Sequence, residues 1–338
     1  MKRFAPLALA ALLGCLIGTG IVCAAVGVRP RGPASLANAA APATATVSPP
    51  PAGAPPPSYA NWPAASPTPE QVLYAQPELL DREIARLRPR TPGKVNLYAV
   101  AFAGDGSQNV FRNEAEYFEE LFSRRLGAGG HVIVLENNPA TLATRPLATW
   151  SNLEHALDAI AARMDLRQDI LLVYFTSHGS EDHTMLVDMD PLPLDQIGAT
   201  DLPDILAEHA FKYKVVIVNA CYSGGFIPPL GAPGTMVITA ARSDRSSFGC
   251  GEQSALTWFG HALLVDALNR TDNFRQAYAL ASKQVAAWER RDHYAPSDPQ
   301  LSAGQGIVAQ LTKWRSQFTP GPAVSFAPAP PVSAGSTP

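Results

Sequence analysis

Short runs of apolar and β-branched side chains, with little polar alternation, recur between residues 94 and 240. Such runs are typical of strands that are buried on both faces of a parallel sheet. The stretches between them place apolar residues three or four positions apart, which predicts amphipathic helices. The predicted strands are Lys94–Phe102, His131–Glu136, Ile170–Phe175, Val215–Asn219 and Met236–Ala240. The predicted helices are Pro69–Leu87, Asn113–Leu126, Ser151–Met164, Asp201–His209, Ser254–Asn269 and Asn273–Arg290.

The order of these elements predicts the architecture of the domain. Strands that alternate with helices form crossover connections, which produce a parallel sheet with helices on both of its faces. The predicted fold class is therefore α/β, with a mostly parallel sheet between two helical layers. Ser151 is expected to cap the helix that begins there, with Glu154 completing a capping box.

The distribution of proline marks the domain boundaries. The chain has 338 residues and 32 prolines, which are concentrated in residues 29–69 and again after residue 319. Segments rich in Pro, Ala, Ser and Thr have too few large apolar residues to build a core, so they act as extended spacers. We predict a signal peptide or membrane anchor at 1–28, a linker at 29–69, one domain at 70–318 and a disordered tail at 319–338.

The amino terminus resembles an export signal. Two basic residues follow Met1, and Phe4–Val28 then runs without a charged side chain. This segment is either a signal peptide cleaved near Ala25 or Ala39, a retained signal anchor, or a lipoprotein signal around Cys15. Each alternative exports the domain, so we expect it in a bacterial periplasm, tethered to the membrane by this segment, or secreted.

The net charge argues against one class of partner. A charge of −3 and a pI near 6.2 give no electrostatic attraction to a nucleic-acid backbone, so no nucleic-acid partner is expected.

Candidate chemistry appears where the fourth strand ends. Cys221 follows the strand closely, and Ser223, Gly224 and Gly225 then predict a sharp turn. The carboxyl edge of a parallel sheet is where α/β folds place their ligands and reacting groups. Cys221 is therefore a candidate nucleophile, although free cysteine is also among the most commonly buried structural residues.

The third strand ends in a second candidate pair, His178 and Gly179. If the third and fourth strands are neighbours, the imidazole of His178 and the thiol of Cys221 lie at the same edge of the sheet. Histidine can protonate a leaving amine and activate water, while a thiolate attacks a carbonyl carbon. The backbone N–H groups of Gly179 and Cys221 are candidates to bind the oxyanion that forms.

These motifs resemble those of a known family. TSHGS at 176–180 and NACYSGG at 219–225 are similar to the sequences around the histidine and cysteine of legumain-type (asparaginyl) cysteine peptidases, within the caspase-like group. The similarity extends over about residues 94–266 and includes KVNLYAVAFAGDG, FRNEAEYF and TMVITAARSDRSSFGCG. The resemblance implies a caspase-like three-layer sandwich and a cysteine endopeptidase that acts on peptides or proteins without a cofactor.

The resemblance also implies a substrate pocket. Legumain-type enzymes grip the residue before the scissile bond with an arginine, which corresponds to Arg112, and oppose it with acidic residues. Asn219 and Thr257 stand at the two acidic positions, whereas Ser246 and Ser247 match the family's Ser-Ser pair. We therefore expect cleavage after Asn or Asp, with Asp tolerated better than in typical legumains.

One supporting residue of the family has no counterpart in register. Relatives carry an asparagine just before the arginine segment, and Asn109 lies near that position but off register.

The same residues permit two other interpretations. Cys221 and Cys250 permit a disulfide, but relatives also carry a cysteine at the second position. His178, Asp182 and His183 lie on one loop, but their spacing matches no zinc motif, so no metal site is predicted.

Two alternative functions remain open. A transpeptidase or ligase would use the same groups with an amine in place of water. A non-catalytic scaffold would keep the fold for binding alone, and the retention of His178, Gly179 and Cys221 together argues against it.

The amino-terminal signal leads to a test of location. Alkaline phosphatase fused after Gln317 is expected to be active, because that reporter needs disulfides that form only outside the cytoplasm. Deletion of Phe4–Val28 is the control and should abolish reporter activity. Equal activity of the two fusions, or activity of a cytoplasm-only reporter at the same position, would contradict export.

Overall fold

A six-stranded sheet forms the centre of the protein. The computed structural model describes residues 62–63, 66–251 and 254–328, so the predicted export signal and most of the linker lie outside the described residues. The strands are β1 (Leu97–Ala103), β2 (Val132–Glu136), β3 (Ile170–Thr176), β4 (Thr184–Met185), β5 (Ile197–Gly198), β6 (Tyr213–Asn219), β7 (Thr235–Thr239) and β8 (Gln300–Ala303).

The order of the strands across the sheet is β2-β1-β3-β6-β7-β8. The first five in this order run parallel, and β8 joins β7 antiparallel at one edge. Strands β4 and β5 form a separate small antiparallel pair. The helices are α1 (Pro69–Ala85), α2 (Asn109–Arg124), α3 (Trp150–Ala161), α4 (Leu202–Ala207), α5 (Ile227–Leu230), α6 (Trp258–Gly260), α7 (Phe274–Arg291) and α8 (Gln305–Arg315), with a π-helical segment at His261–Ala267. The predicted α/β class and mostly parallel sheet are confirmed.

The two faces of the sheet pack against different helices. In β1, Leu97 and Ala99 belong to the cluster that includes side chains of α2, the π-helical segment, α7 and α8. Their neighbours Tyr98 and Val100 point to the opposite cluster, with side chains of α1, α3, α4 and α5. All four are fully buried, because successive side chains of a strand point to opposite faces and both faces are covered. This burial explains why the strands appear as continuous apolar runs in the sequence.

Two local predictions need correction. The cap of α3 is Thr149, whose side chain accepts a hydrogen bond from the N–H of Asn152, rather than the predicted Ser151. Residues 321–326, assigned by composition to a disordered tail, instead pack against α2 and the segment after the π-helix. Val324 is buried, its carbonyl accepts a hydrogen bond from the hydroxyl of Tyr117, and Phe326 contacts the Tyr117 ring edge-on. A few apolar residues thus anchor an otherwise proline-rich segment of the chain.

None of the helices in the described part of the chain is both long and apolar enough to cross a bilayer.

A buried acid at the end of β2 makes the stability of the fold sensitive to pH. Glu136 is 1 % exposed, and neither carboxylate oxygen has a hydrogen-bond partner among the described residues. Burial raises the pKa of Glu136 from 4.5 to about 7; Glu116 adds to the rise and Arg145 opposes it. The folded protein therefore keeps a proton that the unfolded chain releases, so stability falls as pH rises from about 4.5 to about 7.

We expect Glu136→Gln to remove this penalty. The variant should be more stable than wild type, and the difference between their free energies of unfolding should be about 2 kcal/mol larger at pH 8 than at pH 5. Urea unfolding followed by circular dichroism at both pH values measures it. Glu78→Gln, an exposed change on α1, is the control and should show no such growth. A gain that is equal at both pH values would contradict the explanation.

Candidate active site

Three neighbouring strands end at the same height at one edge of the sheet. Ala103 of β1 is in register with Thr176 of β3, which is in register with Asn219 of β6. The chain continues two residues beyond these positions to Asp105, His178 and Cys221, respectively. The parallel sheet thus carries a carboxylate, an imidazole and a thiol side by side, in that order, beyond the ends of its central strands.

A backbone contact holds the second and third of these strand ends together. Gly179 packs so closely on Cys221 that a Cβ on Gly179 would overlap the Cys221 carbonyl oxygen and lie 3.1 Å from the Cβ of Ala220. Only glycine permits this approach. The same loop is fixed from the other side, since the N–H of Leu186 donates to the His178 carbonyl at 3.0 Å. The predicted proximity of the His-Gly and Ala-Cys segments is therefore present.

A tight turn presents Cys221. The next residue, Tyr222, has a left-handed backbone with φ of 56°, and a 3-10 turn follows at Ser223–Phe226. The N–H of Tyr222 donates to the carbonyl of Arg245 at 2.7 Å, and the hydroxyl of Ser223 accepts from the N–H of Ala241 at 3.1 Å. These bonds connect the turn to residues 240–251, the loop that follows β7 and is called the β7 loop below.

The sulfur of Cys221 faces this β7 loop. The backbone N–H of Ser247 donates to Sγ at 3.2 Å, and the Ser247 hydroxyl lies 3.5 Å from the same atom. The Ser247 carbonyl oxygen lies 3.6 Å from Sγ as well, so the thiol lies against both a donor and an acceptor of this residue. Cys221 itself is partly exposed, as a nucleophile must be, while Ser246 is exposed to solvent.

The ring of His178 is fixed on two sides. Phe111 contacts it edge-on, with ring centroids 5.1 Å apart. Nε2 lies 3.4 Å from Oδ2 of Asp105, a residue that is 1 % exposed. Asp105 is not among the site residues that the sequence predicted, although it lies just after the first strand. The side chain of His178 is one-third exposed, so the imidazole remains open to a substrate.

His183, the other histidine of this loop, supports the cysteine turn. It adopts a left-handed backbone with φ of 63°, and its Nδ1 lies 3.2 Å from the carbonyl of Tyr222. Its ring packs on Gly225, where any Cβ would overlap it. Within residues 66–251 and 254–328, no three metal-binding side chains cluster together.

A buried carboxylate lies beneath these loops. Glu114 of α2 is 0 % exposed, and its Oε2 accepts hydrogen bonds from Tyr174, Thr176 and Asn219 at 2.6–2.7 Å. Its other oxygen accepts from both the N–H and the hydroxyl of Thr257, at 2.8 and 2.7 Å. Burial raises the pKa of Glu114, and these hydrogen bonds oppose the rise. The carboxylate joins α2, β3, β6 and the start of α6 at one point.

The predicted pocket residues occupy different surroundings. Arg112, in the first turn of α2, is partly buried, and its Nε donates to Glu116 at 2.9 Å. Asn219 is 1 % exposed and sits on Glu114 together with Thr257. Of the pocket set, Ser247 is the residue that the structure brings into contact with Cys221. The substrate contacts of these residues stay predictions.

The second cysteine of the domain is chemically distinct from the first. Cys221 and Cys250 are both free thiols. Burial, and then the neighbouring Cys221, raises the pKa of Cys250, which favours the protonated form of that thiol.

Comparison with known proteins agrees with this geometry. Residues 154–309 match the model of the Peptidase C13 family, and the matched region contains both the His178 and the Cys221 loops. None of the curated proteins matches the chain. The matched part of the chain is therefore a peptidase C13 domain, of the family of legumain-type cysteine endopeptidases.

Proposed function

We propose that Cys221 and His178 are the catalytic dyad of this peptidase and that the N–H groups of Gly179 and Cys221 form its oxyanion hole. The observation that carries the proposal is the backbone contact of Gly179 with Cys221, which brings the loops after β3 and β6 together. The N–H of Ser247 on the cysteine sulfur supports the same assignment.

The proposed reaction has two stages. A cysteine peptidase acts on peptides or proteins. In the first stage, Sγ of Cys221 attacks the carbonyl carbon of the scissile bond and forms a C–S bond. The thiol proton passes to His178 and then to the leaving nitrogen as the C–N bond breaks. Water, deprotonated by His178, then attacks the thioester, and the cysteine leaves as a thiol when that proton returns to sulfur. Two N–H donors stabilise the oxyanion in both stages.

We also propose that Arg112 recognises the residue before the scissile bond. Among the described residues, the guanidinium makes its one side-chain hydrogen bond from Nε, to Glu116, so its terminal nitrogens are available to a substrate. The amide of Asn219 is oriented because its Nδ2 donates to the Glu114 carboxylate, whereas Oδ1 has no partner in the described chain. An arginine fork suits the side-chain oxygens of a substrate Asn or Asp, and an amide oxygen such as Oδ1 of Asn219 can accept only from the amide of Asn.

The proposed location follows from the sequence of the amino terminus. An uncharged Phe4–Val28 after basic residues supports export of the peptidase, with its substrates outside the cytoplasm.

Cys221→Ala and His178→Ala should each lower kcat/KM by at least about 1000-fold, because each removes a group that bonds to or exchanges a proton with the substrate. Hydrolysis of a fluorogenic peptide by the purified full chain measures this, and thermal melting checks the fold. Cys250→Ala, which removes the other thiol of the domain, is the matched control and should keep most of the activity. Substantial cleavage by Cys221→Ala would refute the nucleophile assignment.

Substrate choice is tested with peptides that differ only in the residue before the scissile bond. We expect cleavage after Asn and Asp, and at least about 100-fold lower kcat/KM after Lys or Arg, because a desolvated like charge faces Arg112. Arg112→Gln should reduce cleavage after Asp more than after Asn. Arg124→Gln, an exposed change on the same helix, should alter neither. Efficient cleavage after Lys or Arg would mean that Arg112 does not line the pocket.

A further inference from the structure

We propose that Asp105 is the positioning residue of the active site, holding His178 through its Nε2 so that Nδ1 is left to exchange the proton. The inference rests on the proposed Cys221–His178 dyad and adds a third member to it. The contact that supports it is the 3.4 Å separation between Oδ2 of Asp105 and Nε2 of His178.

The sheet itself produces this arrangement. Asp105, His178 and Cys221 each lie two residues beyond positions that are in register on β1, β3 and β6. Because β3 lies between β1 and β6, the imidazole stands between the carboxylate and the thiol. A carboxylate, an imidazole and a nucleophile in this order form the arrangement in which the carboxylate orients the base and stabilises its charged form.

The hydrogen bonding of Asp105 leaves one oxygen for this role. Its Oδ1 accepts from the backbone N–H of Ser107 at 2.7 Å, which fixes the carboxylate. Its Oδ2 is buried and has no hydrogen-bond partner within the described residues. A buried carboxylate oxygen without a partner is costly, and the nearby group able to donate to it is the Nε2–H of His178. Catalytic hydrogen bonds are often long in the free enzyme and shorten when substrate binds.

The backbone around Asp105 is held rigidly. The N–H of Gly106 donates to the carbonyl of Asp188 at 2.9 Å, and the N–H of Asp188 donates to the carbonyl of Gly104 at 2.8 Å. These bonds form a short parallel bridge between the loop after β1 and the segment that follows His178. The loop that carries the Asp105 carboxylate is therefore fixed to the segment that carries the His178 imidazole, as a positioning contact requires.

Other residues near the family's supporting position do not reach the histidine. Asn109 accepts a hydrogen bond from Asn138 at 3.1 Å, so its amide is oriented toward the loop after β2. Val110, in the first turn of α2, is apolar and buried in the core. The group that lies beside His178 is the carboxylate of Asp105, which comes from the loop after β1 and not from α2.

The experiment compares Asp105→Asn and Asp105→Ala with wild type in the full chain. Asp105→Asn keeps the size of the side chain and can keep the bond to Ser107, but it then turns an NH₂ group toward Nε2. For both variants we expect kcat on a peptide amide substrate to fall about 10- to 100-fold with KM changed less than about twofold. Asp188→Asn removes the carboxylate of the residue whose backbone is bridged to the same loop and is the matched control, with kcat expected near wild type.

A spectroscopic measurement separates positioning from a structural role. In protein labelled with ¹⁵N-histidine, with His178 assigned by comparison with His178→Ala, the neutral ring of wild type should carry its proton on Nε2. In Asp105→Asn the proton should move to Nδ1, because Nε2 then faces a donor.

These measurements distinguish an error in the role of Asp105 from an error in the assignment of Cys221 and His178 as the dyad. Unchanged kcat in both variants, or an unchanged tautomer in Asp105→Asn, would overturn the role of Asp105 while leaving the dyad intact. Activity retained by Cys221→Ala would overturn the dyad instead. If Asp105→Ala does not fold, Asp105→Asn alone decides, since its thermal melting, kcat and tautomer are measured on the same sample.

Discussion

The wholly buried carboxylate of Glu114 is the constraint on which the geometry of this active site depends. A carboxyl group without solvent is tolerated only when its oxygens are hydrogen-bonded, and here the donors come from separate parts of the chain. Thr176 ends β3, Asn219 ends β6, and Thr257 caps α6. Because one carboxylate holds all of them, the two strands that carry His178 and Cys221 are fixed to α2.

Close backbone approach supplies the second constraint. Gly179 rests on the carbonyl of Cys221, and Gly225 lies under the ring of His183. Neither contact leaves room for a Cβ, so the loops after β3 and β6 cannot separate without losing packing on both sides. The peptidase chemistry proposed for this edge needs that rigidity, because an oxyanion hole works only when its donors are in place before the charge develops.

The β7 loop and α2 complete the site from opposite sides. Ser247 directs its N–H at the cysteine sulfur, whereas Arg112 and Glu114 come from one turn of α2. The two positions where acidic residues were expected, Asn219 and Thr257, both bind the same carboxylate from that helix. The carboxyl group absent from those positions in the sequence is thus present beneath them, supplied by α2.

The sequence by itself determined the α/β class, the five parallel strands and the placement of His178 and Cys221 at strand ends. A strand that is buried on both faces appears in the sequence as a continuous apolar run. The residue where that run ends can be identified without knowing which strands lie beside it. Only the tertiary structure decided the partners of Glu114 and the approach of Asp105 to His178. An aspartate in a Gly-Asp-Gly loop is an ordinary turn residue, and a glutamate in an amphipathic helix is ordinarily solvated. Strand register and helix docking gave these side chains their surroundings, because contacts between distant segments leave no local pattern.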